Sequence, residues 1–131
     1  MVNKKLIDAA LLAQKNAYAP YSNFKVGAAL LCDDGEVFVG ANVENSSFGL
    51  TNCAERSALF AAVSAGKRSF KAVAVVGGKD GVVSEFCPPC GACRQALAEF
   101  SPGGELEVIL FDGKAEKSFK LSLLLPEGFS L

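Results

Sequence analysis

Thr51-Asn52-Cys53-Ala54-Glu55-Arg56 and Cys87-Pro88-Pro89-Cys90-Gly91-Ala92-Cys93-Arg94-Gln95 hold four of the chain's five cysteines, with a carboxylate two residues after the first. Each stretch reads as the start of a helix. Asn52 or Thr51 can cap a helix from about Cys53 to Ala65, ended by Gly66. Pro88-Pro89 forces extended backbone just ahead of Cys90. Beyond it Cys93, Ala96, Leu97 and Phe100 recur at i, i+3, i+4 and i+7, until Ser101-Pro102-Gly103-Gly104 stops the helix. Between the two helices, Phe70 to Val76 is a near-continuous apolar run, as expected of a central strand covered on both faces.

Outward from this helix–strand–helix centre the pattern is equally regular. Leu6, Ala10, Ala13 and Ala17, with Ile7 and Leu11, form one stripe of a helix over 2–17, and Ala19-Pro20-Tyr21-Ser22 breaks it. Residues 24–43 read as an antiparallel hairpin turning at Asp33-Asp34-Gly35. Gly77-Gly78-Lys79-Asp80-Gly81 reads as a flexible loop. Leu106 to Phe111 is a further buried strand, Asp112-Gly113 a tight turn, and 115–121 its antiparallel return. Ser122 to Leu125 makes a short helical turn before the tail. The order α-β-β-α-β-α-β-β predicts an α/β fold: a three-layer α/β/α domain over residues 1–131, built on a five-stranded mixed sheet.

Composition narrows the function. Half of the residues are hydrophobic and the mean hydropathy is +0.29, which predicts both a fully covered sheet and a large subunit interface. A net charge of −1 and a pI near 5.4, without a basic run, argue against a nucleic-acid partner. No apolar run approaches the ~20 residues that span a bilayer. The N-terminal segment is charged and amphipathic, unlike a signal peptide. An odd number of cysteines without an export signal then predicts a reducing cytoplasm and a metal or catalytic role.

The chain contains no histidine, so a tight transition-metal site has to be built mainly from thiolates, which suits zinc. Cys53 stands at one helix start, and Cys90 and Cys93 at another, where free N–H groups favour the thiolate. Cys90 and Cys93, three apart, share a face. Three thiolates with an open fourth position describe a catalytic zinc. They also over-neutralise the ion, and Arg56 and Arg94 are placed to offset this, if they are not simply solvated. Glu55 can exchange protons with water at the ion; by itself it would be an ordinary helix-start carboxylate. Cys87 leaves a closed four-thiolate zinc or an iron–sulfur site open as the rival, although Pro88-Pro89 carries it away from the helix that presents Cys90 and Cys93. Cys32 reads as a small apolar core residue.

Together these residues resemble the zinc nucleobase deaminases: the C-A-E run and the later P-C-x-x-C run match that signature, with Cys53 in place of its leading His. More closely they resemble the small, homo-oligomeric, usually tetrameric cytidine deaminases. Ala19-Pro20-Tyr21-Ser22-Asn23-Phe24-Lys25-Val26-Gly27-Ala28-Ala29-Leu30, Asn42-Val43-Glu44-Asn45, Cys53-Ala54-Glu55-Arg56 and Pro89-Cys90-Gly91-Ala92-Cys93-Arg94-Gln95 match that pattern in order. The resemblance implies zinc held by Cys53, Cys90 and Cys93, with Glu55 as proton shuttle in the hydrolysis of cytidine and deoxycytidine. It further implies that Asn42 and Glu44 bond the ribose 3′-hydroxyl, that Phe24 lines the base pocket and that the Ala54 backbone contacts the pyrimidine. Phe129 is implied to stack on the base from a neighbouring subunit, so active sites would be shared. Phe48 stands where many relatives carry tyrosine. Without a lysine-bearing glycine loop, and with Glu44 repelling phosphate, a nucleoside is expected over a nucleotide.

Overall fold

The computed structural model describes residues 2–131. Its elements are α1 (Val2–Gln14), β1 (Phe24–Cys32), β2 (Val37–Ala41), α2 (Ala54–Ser64), β3 (Phe70–Lys79), α3 (Gly91–Ala98), β4 (Glu107–Phe111), β5 (Glu116–Lys120) and α4 (Leu121–Leu124). The five strands form one sheet in the order β2-β1-β3-β4-β5. β1 runs antiparallel to β2 and β3, β3 and β4 are parallel, and β5 returns antiparallel to β4. The expected five-stranded mixed sheet with helices on both faces is what forms.

The alternation of side chains along a strand divides the core in two. Ala29, Ala72, Ala74, Val76 and Ile109 face Leu6, Ile7 and Ala10 of α1. Ala28, Leu30, Val73, Val75, Val108 and Leu110 face Ala54, Ala58, Leu59 and Ala62 of α2 and Leu97 of α3. With a helix on each side, β3 is apolar at almost every position, which explains its unbroken sequence. Cys32 is buried on the α2 side, as a small apolar residue should be.

Three differences from the sequence expectation have a visible physical reason. The first helix stops at Gln14 instead of 17, because the N–H groups of Lys15, Asn16 and Ala17 bond carbonyls three residues back, tightening the last turn. Tyr18 then donates its N–H to the Asn42 carbonyl and joins the sheet margin. The second helix is capped by Cys53, not by Asn52 or Thr51, and without a side-chain hydrogen bond; the Asn52 amide donates instead to Ser57 Oγ. The third difference is Gly77-Gly78-Lys79, which continues β3 and pairs with Val26, Lys25 and Phe24. These glycines serve close approach, not flexibility. A Cβ on Gly77 would stand 2.7 Å from Cys87 Sγ, and one on Gly78 would stand 1.7 Å from the Val82 carbonyl oxygen.

Candidate active site

The N-termini of α2 and α3 meet at the sulfur atoms. Cys53 caps α2 and Cys90 caps α3, both in extended backbone, and Cys93 follows in the first turn of α3. Cys53 Sγ lies 3.8 Å from Cys90 Sγ, which lies 3.6 Å from Cys93 Sγ, and all three fall within 4.8 Å of one another. A tetrahedral ion with zinc–sulfur bonds of about 2.3 Å needs sulfurs about 3.8 Å apart. The residues present therefore fit zinc. Cys87 is not among them: its sulfur packs against Gly77. Burial, with the negative charges of Glu55 and Cys53, pushes its thiol up to about 11, which keeps it neutral.

Electrostatics distinguish the three sulfurs. A hydrogen bond from Cys93, then others from Arg56 and Cys90, hold Cys53 down at about 5. Cys93 is shifted upward by its pairing with Cys53 and by burial. Arg56 Nη2 donates to Cys53 Sγ across 3.1 Å. Its Nε is buried without a hydrogen-bond partner. Arg94 does not share this role. Its Nε donates to the Pro89 carbonyl and its Nη1 to the Leu124 carbonyl, so it ties the loop before Cys90 to the C-terminal helix.

Glu55 sits in the first turn of α2 and is only 4 % exposed. Burial drives its carboxyl up to about 7, and the Cys53 thiolate adds to the rise. Ala54 beside it is fully buried. Across the sheet end, the Phe24 ring edge and Cys87 Sγ converge on Gly77. Phe24 stays 41 % exposed.

Asn42 and Glu44 both turn towards the loop that leads into β1. Asn42 accepts from the Val26 N–H and donates to the Phe24 carbonyl. Glu44 accepts from the N–H groups of Tyr21 and Ser22 and from the Ser22 hydroxyl. These bonds hold its carboxyl below the usual range, the Ser22 hydroxyl contributing most. Ser22 is the residue that sequence reasoning had no means to single out. Its partner is 22 positions away, and no periodicity links the two. Phe129 is exposed, and its carbonyl accepts from Gln95 Nε2 at 3.0 Å. Phe48 is likewise exposed.

This geometry agrees with comparisons to known proteins. Residues 1–105 match the family model for the cytidine and deoxycytidylate deaminase zinc-binding region. A cytidine deaminase of Sporosarcina psychrophila is 51% identical over 97% of this chain and 90% of its own length. One from Halalkalibacterium halodurans is 49% identical over 99% of this chain and 96% of its own length. The crystal structure of cytidine deaminase from Burkholderia pseudomallei superposes with a TM-score of 0.87 at 50% identity, covering 98% of this chain and 100% of that one. That from Mycobacterium tuberculosis gives 0.83 at 44% identity, covering 98% and 97%. With its three-thiolate cluster in place, the chain belongs to the zinc-dependent cytidine and deoxycytidylate deaminase family.

Proposed function

We propose that this protein hydrolyses cytidine and deoxycytidine to uridine and deoxyuridine, releasing ammonia, in the salvage of pyrimidines in the cytoplasm. The observation that carries the reading is geometric: Glu55, almost wholly buried, stands at the same helix start as Cys53, one of three sulfurs placed to hold a metal ion. Burial raises its carboxyl towards neutrality, which suits a group that both takes and gives protons.

Cys53, Cys90 and Cys93 would hold zinc, whose Lewis acidity makes water nucleophilic at neutral pH. Glu55 accepts a proton as the oxygen of water bonds to C4 of the pyrimidine, and delivers it to N3. The C4–N bond then breaks, and a second proton, passed by the same carboxylate, leaves with the amine as ammonia. Burial of Glu55 excludes bulk water from the exchange. Phe24 packs on the base and the Ala54 backbone bonds its edge. Asn42 and Glu44 take the ribose 3′-hydroxyl, one as donor and one as acceptor. The negative charge on Glu44 disfavours a phosphate nearby, which selects nucleosides over nucleotides.

The active unit is a homo-oligomer, a tetramer, in which Phe129 closes a neighbouring subunit's site. Exposed Val37 and Val39 on the edge strand, with exposed Phe48, Leu50 and Phe60, support burial of this surface between copies. The deciding experiment follows the ultraviolet absorbance of cytidine with wild type and Glu55→Ala, with zinc content measured for both. The expected result is turnover by wild type and loss of about four orders of magnitude in the variant at unchanged zinc. Tight zinc in both proteins without turnover of either nucleoside would defeat the proposal.

A further inference from the structure

The loop entering β1 is tied to the sugar-binding residues on both sides of one residue, Phe24. The Phe24 N–H donates to Ser22 Oγ at 3.0 Å, and the Ser22 hydroxyl donates in turn to Glu44 Oε2. On the other side of the same residue, the Phe24 carbonyl accepts from Asn42 Nδ2 at 2.8 Å. The hydroxyl between N–H donor and carboxylate acceptor has one polarity only, and each bond strengthens the next. Phe24 presents its ring to the base pocket, so its backbone links that ring to the two groups assigned to the sugar.

A count of hydrogen-bonding capacity sharpens the point. Glu44 Oε1 accepts two N–H groups, from Tyr21 and Ser22, and Oε2 accepts one hydroxyl. With about four lone-pair sites on a carboxylate, one remains, on Oε2. Asn42 Nδ2 uses one of its two hydrogens on Phe24, leaving one donor. One acceptor and one donor are what a single hydroxyl needs.

We infer that Ser22 is a positioning residue for the sugar: by engaging Glu44 Oε2 while bound to the Phe24 N–H, it leaves one acceptor aimed at the 3′-hydroxyl and couples sugar recognition to the aromatic wall of the base pocket. This inference rests on the proposed roles of Asn42 and Glu44. Without the Ser22 hydroxyl, Glu44 is held only through Oε1, Oε2 is left to water, and Phe24 loses the anchor of its N–H. The sugar hydroxyl then meets a hydrated, less firmly oriented acceptor. Ser22 touches no reacting atom, and its effect travels through Glu44 and Phe24.

The test is a cycle between the Ser22→Ala variant and removal of the substrate's 3′-hydroxyl, using cytidine and 3′-deoxycytidine on the full-length, zinc-loaded protein. Loss of one charge-assisted bond should lower kcat/KM for cytidine by about tenfold, mainly through KM. For 3′-deoxycytidine the same variant should cost several-fold less than for cytidine, because the part of its effect that runs through Glu44 is already missing and only the Phe24 anchor is lost. Ser22→Thr keeps the hydroxyl on an exposed side chain and should restore discrimination between the two substrates. Equal losses on both substrates, or a Ser22→Thr variant no better than Ser22→Ala, would overturn the inference while leaving the deaminase reading intact. Wild type that does not distinguish the two substrates would instead remove the assigned sugar roles, and the inference with them.

Discussion

Arg56 Nη2 lies 3.1 Å from Cys53 Sγ, with the two residues three apart at the start of α2. Helical spacing puts a cation beside the thiolate that would otherwise burden a three-sulfur zinc with excess negative charge. Residues that tune metal ligands in this way commonly change activity by about 10- to 100-fold when replaced. Arg56→Gln, which removes the charge, should lower kcat within that range while zinc stays bound. Metal analysis alongside steady-state kinetics checks it; an unchanged kcat would show that the guanidinium serves packing alone.

Cys87 tests whether three ligands suffice. Its sulfur packs against Gly77 and lies outside the Cys53, Cys90, Cys93 cluster. Cys87→Ala should therefore bind one zinc per chain and keep most of its turnover, while Cys53→Ser should lose both. Loss of zinc from Cys87→Ala would restore the four-thiolate reading.

Gly40 governs how closely α2 approaches the edge of the sheet. A Cβ there would stand 2.5 Å from the Ala58 nitrogen, 2.6 Å from the Ala54 carbonyl oxygen and 2.8 Å from Ser57 Cβ. These atoms are α2 backbone and a Cβ fixed to it, so no flexible side chain can absorb the clash. Gly40→Ala should destabilise the protein by about 2–3 kcal/mol, as overpacking does, read as a lower urea midpoint. Because Ala54 lies between Cys53 and Glu55, turnover should fall in the folded variant as well.

Glu44 predicts a pH dependence of stability. Its folded carboxyl is held below the ordinary value by Ser22 and by the N–H groups of Tyr21 and Ser22. The folded state thus favours the charged form. The resulting stabilisation is complete above the unfolded value of about 4.3 and disappears as pH falls through the lower, folded value. The difference in urea midpoint between wild type and Glu44→Gln should be constant from about pH 7 to pH 6 and shrink below about pH 4. Taking the difference removes any acid-induced loss of metal common to both proteins. A difference that grows on acidification would contradict the bonding described.

Much of this arrangement was legible in the chain. Cys53, Cys90 and Cys93 were identifiable because the absence of histidine leaves thiolates as the metal ligands, and because spacing puts them at helix starts. The layers were legible because alternation and helical stripes are periodic. Glu55 could be named, but not the burial that brings its carboxyl to about 7. Arg56 and Arg94 both read in sequence as cations placed to offset the thiolate charge, Arg56 the more strongly, each one residue beyond the first turn's acid or ligand. Only packing shows that one bonds a sulfur and the other bonds the carbonyls of Pro89 and Leu124.

By itself the sequence determined the order of helices and strands, the candidate thiolates and the apolar faces, since each is written in local spacing or in residue chemistry. The tertiary structure alone decided that Gly77 and Gly78 extend β3, that Cys87 packs outside the sulfur cluster and that Ser22 bonds Glu44. These depend on which surfaces meet across the fold, at distances of a few ångströms between residues far apart in the chain. Close approach and hydrogen bonding have no period, so no repeat in the sequence can encode them.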